Sequence, residues 1–148
     1  MNGSLAEQVR AGLNAARKQR DQPRTLLFST LLSDLKNREL ELGAALDDEQ
    51  AAEVLRRAVK RRRESVEAYT RGNRRDLADR EAFEIGVVEA LLPPGAGEEE
   101  IRAAVREAIA GGARDVGALM GQVMPRLKGR AEGKVVNRIA REELAAAS

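Results

Sequence analysis

The sequence contains no cysteine, no histidine and no tryptophan. Without cysteine the chain forms no disulfide and offers no thiolate as nucleophile or metal ligand. Without histidine it lacks the side chain that most often acts as a general base or binds a metal. A phosphate-binding loop, a dinucleotide fingerprint and a nucleophile elbow are also missing. We therefore predict no catalytic residues, no metal site and no cofactor.

Aromatic residues are scarce at 2% of the chain, whereas hydrophobic residues make up 43% and charged residues 34%. A core made of Leu, Val, Ile and Ala suits packed helices better than sheets. No apolar run approaches about 18 residues, so we expect no membrane span. The first residues lack the basic start and apolar run of a secretory signal, and we expect a cytoplasmic protein.

Apolar residues recur at helical spacing along the chain, which predicts an all-α fold. The clearest break is the Pro/Gly-rich segment at residues 93–97, because two prolines and two glycines do not continue a helix. We predict an N-terminal four-helix domain, residues 1–94, joined by this linker to a C-terminal three-helix domain, residues 95–148. The predicted helices cover residues 5–20, 23–42, 48–71, 75–92, 98–110, 116–124 and 133–144. The acidic pairs Asp47-Asp48 and Glu142-Glu143 are explained by helix ends, without a catalytic role.

Two segments concentrate positive charge. Nine bases face two acids over residues 56–75, and six bases face one acid over residues 126–141. Such clusters supply most of the non-specific affinity of proteins for nucleic-acid phosphates. In the first segment Lys60, Arg61 and Arg63 form a possible secondary basic face, unless they pair with acids in helical reach. Arg62 falls on the apolar stripe, and we predict that it pairs with Glu81 or Glu84 of the fourth helix.

The second segment contains a basic, glycine-bearing turn, Lys128-Gly129-Arg130. Glycine lets the backbone approach a ligand closely, and the helix start at Gly133 offers free amides that suit a phosphate. The alternative is an ordinary turn between helices with a polar rim. Because the chain has only three aromatic residues, any nucleic acid should be contacted through its backbone and shape.

Several stretches carry a family resemblance over nearly the whole chain. They are RRRES at 61–65, Tyr69, RRDLADRE at 74–81, Glu84-Ile85, LLP at 91–93 and MGQVMPRLKGRAEGKVVN at 120–137. On these residues the chain resembles the YqeY family. It is also similar to the C-terminal helical and tail region of GatB, a subunit of the amidotransferase that converts Glu-tRNA(Gln) or Asp-tRNA(Asn) to the amide.

In GatB the tail contacts tRNA, and the catalytic kinase-like portion has no counterpart here. The resemblance therefore implies a tRNA-binding or amidotransferase-associated module, not an enzyme by itself. Homology to GatB alone would suggest carbon–nitrogen ligase activity with glutamine as the amido-nitrogen donor. An amidotransferase or aminoacyl-tRNA synthetase complex is the implied partner. The alternative is a protein–protein adaptor whose basic faces bind an acidic partner. The implied tRNA-facing residues are Lys128, Gly129, Arg130, Lys134 and Arg138.

Overall fold

The computed structural model describes residues 3–127 and 130–148, and the described residues form helices and connecting turns with no strand. The prediction of an all-α fold is confirmed. The helices are α1 (Leu5–Lys18), α2 (Gln22–Leu42), α3 (Asp48–Arg71), α4 (Arg75–Glu89), α5 (Glu98–Ala110), α6 (Val116–Leu127) and α7 (Gly133–Ala147). None of them, within the described ranges, has the length and apolar character needed to cross a bilayer.

Short polar side chains begin several of these helices. The Ser4 hydroxyl accepts the Glu7 N–H at the start of α1, and a carboxylate oxygen of Asp21 accepts the Arg24 N–H at the start of α2. Asp47 caps α3 in a reciprocal arrangement, since its side chain accepts the Gln50 N–H while the Gln50 side chain accepts the Asp47 N–H. These bonds satisfy amides that have no partner inside the helix.

The contacts between helices group the chain into two units, one extending to Pro93 and the other beginning at Pro94. In the first unit α1 packs on α2, α3 packs on α4, and α3 also contacts both α1 and α2. Its core is built from aliphatic side chains with one phenylalanine, as the composition predicts. Gly12 allows α1 to approach α2 closely, because a Cβ at this position would overlap the Phe28 ring.

In the second unit α5, α6 and α7 pack against one another in all three pairs. Ile101, Val105, Leu119 and Ile139 are fully buried between them. A backbone hydrogen bond of 2.7 Å from the Ala96 N–H to the Arg130 carbonyl joins the segment before α5 to the segment before α7.

The C-terminal ends of four helices differ from the prediction, and α1 ends at Lys18, two residues before its predicted end. Helix α6 was predicted to end near Met124-Pro125, but it runs to Leu127 with Pro125 inside it. Pro125 has no backbone N–H, so the last turn of α6 has one hydrogen bond fewer. Burial of Leu127 in the core favours continuation of the helix for two residues beyond Pro125. Helix α4 ends at Glu89, three residues before its predicted end, and α7 continues three residues beyond Leu144.

Candidate nucleic-acid interface

The predicted contact turn is only partly visible, because Lys128 and Gly129 lie outside the described residues. Arg130 does not point freely into solvent. Both of its terminal guanidinium nitrogens donate to the carboxylate of Glu100 in α5, and its side chain is 28% exposed. The structure therefore places Arg130, which was predicted to contact phosphate, in an ion pair with Glu100 in the first turn of α5.

The pairing shifts the titration of both groups. Hydrogen bonds from Arg130 lower the pKa of Glu100, and the same bonds raise the pKa of Arg130. Both groups are therefore charged at neutral pH. Because surface ion pairs contribute only about 0–1 kcal/mol, an incoming phosphate can replace such a carboxylate at small cost.

Helix α7 carries three basic side chains along one face, Lys134, Arg138 and Arg141, which we call the α7 stripe. Their spacing of i, i+4 and i+7 aligns them over about 10 Å of the helix. Lys134 is exposed and makes no hydrogen bond or ion pair with any described residue. The Nη1 atom of Arg138 lies 2.8 Å from a Glu142 carboxylate oxygen and 3.7 Å from one of Glu98.

Arg141 completes this stripe although the predicted contact residues do not include it. Its Nε donates to the Asn137 side-chain oxygen at 2.8 Å, and it forms no ion pair with a described residue. Its position three residues after Arg138 was the signal in the sequence, because i and i+3 side chains share a helix face.

A network of ion pairs joins α5 to α7. Arg102 contacts Glu98, Glu142 and Glu143, and Arg106 also contacts Glu143. Hydrogen bonds lower the pKa of both α7 carboxyls, chiefly from Arg102 to Glu142 and from Arg106 to Glu143. Glu143 is 9% exposed. The prediction that a helix end explains Glu142-Glu143 is wrong, because both side chains bond arginines of the neighbouring helix.

The predicted secondary basic face does not form one open cluster. Arg61 pairs with Asp34 of α2 at 3.2 Å, while Arg63 pairs with Glu89 of α4 at 2.7 Å. Lys60 is exposed and has no partner among the described residues. Two of the three cations are therefore used to join α3 to helices on different sides of it.

Arg62 lies between these residues and is the most enclosed of the run. Its Nε donates to Glu84 at 2.8 Å and its Nη1 donates to the Ala58 carbonyl at 2.9 Å. The side chains of Arg62 and Glu84 are 13% and 22% exposed. The prediction that Arg62 pairs with Glu81 or Glu84 is confirmed, with Glu84 as the partner.

Neither unit offers an obvious metal site in its described residues, where no group of three or more acidic side chains is placed to hold an ion. The arrangement that remains is a basic face on α7, bordered by arginines that pair with α5. Comparison with family models matches residues 6–144 to the family described as Yqey-like protein. The chain belongs to the YqeY family.

Two curated fungal relatives of this YqeY protein carry the same name, "Altered inheritance of mitochondria protein 41, mitochondrial". The protein from Lachancea thermotolerans is 32% identical over 100 residues, which cover 66% of this chain and 54% of the relative. The protein from Pyrenophora tritici-repentis is 26% identical over 128 residues, which cover 83% of this chain and 71% of the relative. The chain thus spans about half the length of the first relative.

These names contradict the expectation that this YqeY protein is cytoplasmic, because both relatives are named as mitochondrial. The expectation depended on the absence of a secretory signal. That absence does not separate the cytoplasm from an organelle, whose targeting segments have a different composition.

Proposed function

We propose that this chain is a tRNA-binding or tRNA-amidotransferase-associated helical module without a catalytic site of its own. The observation that carries the proposal is the α7 stripe, in which Lys134 is exposed and has no acidic partner in the described residues. Three cations at helical spacing present positive charge along a line, which suits the regularly spaced phosphates of an RNA strand.

The ion pairs beside Lys134 are compatible with this role. The Arg138–Glu142 pair has side chains that are 51% and 43% exposed, and exposed pairs are weak and screened by salt. A phosphate offers several acceptor oxygens and replaces a carboxylate well. With so few aromatic residues, recognition would depend on phosphates, sugars and shape.

Transfer RNA is proposed as the ligand because of the resemblance to the tail region of GatB. The same resemblance supports an amidotransferase or aminoacyl-tRNA synthetase complex as the setting in which the module acts. Neither relative's name mentions RNA, so the choice of tRNA as the ligand depends on the GatB resemblance and on the charge of α7.

The direct test measures tRNA binding by the full chain at several salt concentrations. The double variant Lys134→Ala/Arg138→Ala should bind more weakly, and the slope of log K against log salt should become shallower by about 1.4–1.8. The matched control is Arg10→Ala/Lys36→Ala, which removes two exposed cations of the first unit that have no partner in the described residues. Equal behaviour of the two double variants would contradict the assignment of the α7 stripe.

A second pair of variants tests whether carboxylates of α5 compete with phosphate. Glu100→Gln frees Arg130, whereas Glu99→Gln makes the same change in net charge on the same helical turn without breaking an ion pair seen among the described residues. We expect Glu100→Gln to bind tRNA more tightly than Glu99→Gln. The same affinity for both variants would show that Arg130 makes no contact with the RNA.

An acidic protein partner would meet the same cations. Nuclease treatment of the complex isolated with the full chain separates the two cases. A partner released by nuclease is bound through RNA and supports the proposal, whereas one that remains bound and is lost on Lys134→Ala/Arg138→Ala supports the adaptor.

We further propose that the two units are separate domains, four helices and three, joined by the Pro/Gly-rich linker at 93–97. The separate apolar cores of the units support this division. Limited proteolysis of the full chain should cut first within or beside this segment and leave two resistant fragments. A first cut inside either helical unit would contradict it.

A further inference from the structure

The first unit separates its charges toward opposite ends. Short turns connect α1 to α2 and α3 to α4, so each pair forms an antiparallel hairpin. At one end the Leu5 N–H donates to Asp48 at 2.9 Å, which places the start of α1 beside the start of α3. Toward the other end, Arg24 in the first turn of α2 contacts Phe83 of α4. Phe83 lies eight residues, about 12 Å, along α4 from Arg75, so the start of α2 lies beside α4 about two helical turns from the α3–α4 turn.

The segments around these two turns are basic, and together we call them the basic pole. Residues 17–24 contain four bases and one acid, and residues 71–80 contain four bases and two acids. The opposite end is acidic, because residues 39–53 contain six acids and no base. The bases of the pole are Arg17, Lys18, Arg20, Arg24, Arg71, Arg74, Arg75 and Arg80.

Most cations of the basic pole are open. Arg24 pairs with Asp21 at 2.9 Å and Arg74 pairs with Asp76 at 3.2 Å. The other six side chains are exposed and form no hydrogen bond or ion pair with the residues that the structure describes. In the middle of α3, by contrast, Arg61, Arg62 and Arg63 all pair with acids of neighbouring helices. Positive charge at the pole is therefore available to a ligand.

An exposed aromatic ring lies beside these cations. The guanidinium carbon of Arg24 is 4.9 Å from the centre of the Phe83 ring, and Phe83 is 40% exposed. Arg80 precedes Phe83 by three residues and shares its face of α4. Arginine planes and aromatic rings are the surfaces on which unpaired nucleic-acid bases stack.

We infer that the basic pole is a second RNA-binding surface, which contacts phosphates through its open arginines and lysine and an unpaired base through Phe83 and Arg24. The choice of RNA as the ligand rests on the proposed function. The acidic segment at residues 39–53 supports the inference, because it repels phosphates and favours approach of the RNA to the basic pole.

The test uses the full chain and the same tRNA. Lys18→Ala/Arg75→Ala removes one open cation from each turn, and we expect about tenfold weaker binding at moderate salt and a salt slope shallower by about 1.4–1.8. The control is again Arg10→Ala/Lys36→Ala, whose sites lie outside the basic pole. All four side chains are exposed, so circular dichroism should show equal folding.

The outcomes separate this inference from the proposed function. If Lys18→Ala/Arg75→Ala matches the control while Lys134→Ala/Arg138→Ala binds weakly, the basic pole is overturned and the α7 stripe stands. The reverse result supports the pole and overturns the stripe. No binding of tRNA by the natural chain at low salt overturns both.

The stacking contact has its own variant, Phe83→Leu, which keeps an apolar side chain and removes the ring. We expect about fivefold weaker binding to single-stranded oligouridylate and unchanged binding to a duplex of the same length, because paired bases do not stack on protein rings. Equal affinity of the variant and the natural chain for oligouridylate would overturn the role of Phe83.

Discussion

The two units of this protein hold positive charge in different ways. In the second unit Arg130, before α7, pairs with Glu100, and Arg138, within α7, pairs with Glu142. In the first unit the arginines in the middle of α3 are paired in the same manner, but most cations of the basic pole are open. The comparison teaches that a basic run predicts free charge only where no neighbouring helix faces it with an acid.

Helix position explains this difference. The middle of α3 packs against α2 on one side and α4 on the other, so acids of both helices come within reach of its arginines. The turns at the ends of the two hairpins have fewer neighbours. In the second unit, acids in the first turn of α5 suit the helix dipole and also pair with the arginines of residues 130 and 138.

The largest expected effect concerns the two separate cores. Leu119→Ala should destabilise the second unit by about 2–5 kcal/mol, and Leu55→Ala should do the same to the first, because both side chains are fully buried. Hydrogen exchange resolved by segment measures the stability of each unit separately. We expect Leu119→Ala to expose α5–α7 while α1–α4 stay protected, since the second unit is shorter and has less stability in reserve.

The exposed Leu26 in α2 provides the matched control. Leu26→Ala removes the same atoms without opening a cavity, and protection should change by less than about 0.5 kcal/mol in both units. Loss of protection over the whole chain on Leu119→Ala would show that the units unfold together and would remove the basis of the comparison.

A smaller effect is expected from the paired arginines of α3. Arg62→Ala leaves the enclosed Glu84 without its partner and should lower the free energy of unfolding by about 1.5–3 kcal/mol. Arg61→Ala breaks an exposed pair with Asp34 and should cost about 0.2–1 kcal/mol. Urea unfolding of the two variants measures the difference.

Salt gives the control for this pair of variants. One molar salt should remove most of the effect of Arg61→Ala and little of that of Arg62→Ala, because screening acts mainly on exposed charges. Equal costs for the two variants would mean that burial does not distinguish the pairs of α3.

These arginines also show how far the sequence could predict the site. The partner of Arg62 could be narrowed to Glu81 or Glu84, because the apolar stripes of α3 and α4 must face each other. The partner of Arg130 could not be predicted, because Glu100 is thirty residues away. Local spacing in the sequence does not indicate how the loops bring α5 and α7 together. Helix starts were predictable because Ser4, Asp47 and Asp115 carry the hydrogen bonds that begin them.

The sequence could not predict which bases are neutralised by acids in the folded protein. The sequence shows six bases against one acid over residues 126–141, which indicates an open basic face. The structure sets Glu98, Glu100 and Glu107 of α5 against arginines of this segment. The open turns of the first unit were missed for the opposite reason, because their bases are divided between two segments separated by about fifty residues of chain.

Acid should affect the second unit more than the first. The folded-state pKa values of Glu100, Glu142 and Glu143 are lowered by hydrogen bonds from arginines of other segments. A lowered pKa contributes stability that is present above the unfolded value, about 4.3 for Glu, and is lost as pH falls through the folded value. We expect amide protection in α7 to fall as the pH drops below about 4.3, before protection in the core of α3 falls.

The variant Glu142→Gln/Glu143→Gln sharpens this prediction. It removes two of the carboxyls, so the second unit should be less stable at neutral pH and its stability should depend less on pH in the acidic range. In the first unit the lowered pKa values belong to Asp21 and Asp76, which pair within their own segments. Parallel loss of protection in both units on acidification would contradict the role of the α5–α7 network.

The smallest expected effect separates binding from stability at a single residue of the basic pole. Arg20 follows the end of α1 and lies in the left-handed region, with φ of 55°, where glycine is favoured and a residue with a Cβ is strained. Arg20→Gly should therefore raise the free energy of unfolding by up to about 1 kcal/mol. It also removes an open cation, so tRNA binding should weaken and the salt slope should become shallower by about 0.7–0.9.

Arg20→Lys is the matched control, because it keeps both the charge and the Cβ, and it should leave stability and binding nearly unchanged. Opposite signs for stability and affinity in Arg20→Gly are difficult to obtain from a damaged fold, which weakens both together. Opposite signs are expected if a side chain that binds RNA occupies a position whose backbone conformation favours glycine. Unchanged affinity in Arg20→Gly would mean that the strain at this turn has no connection with RNA.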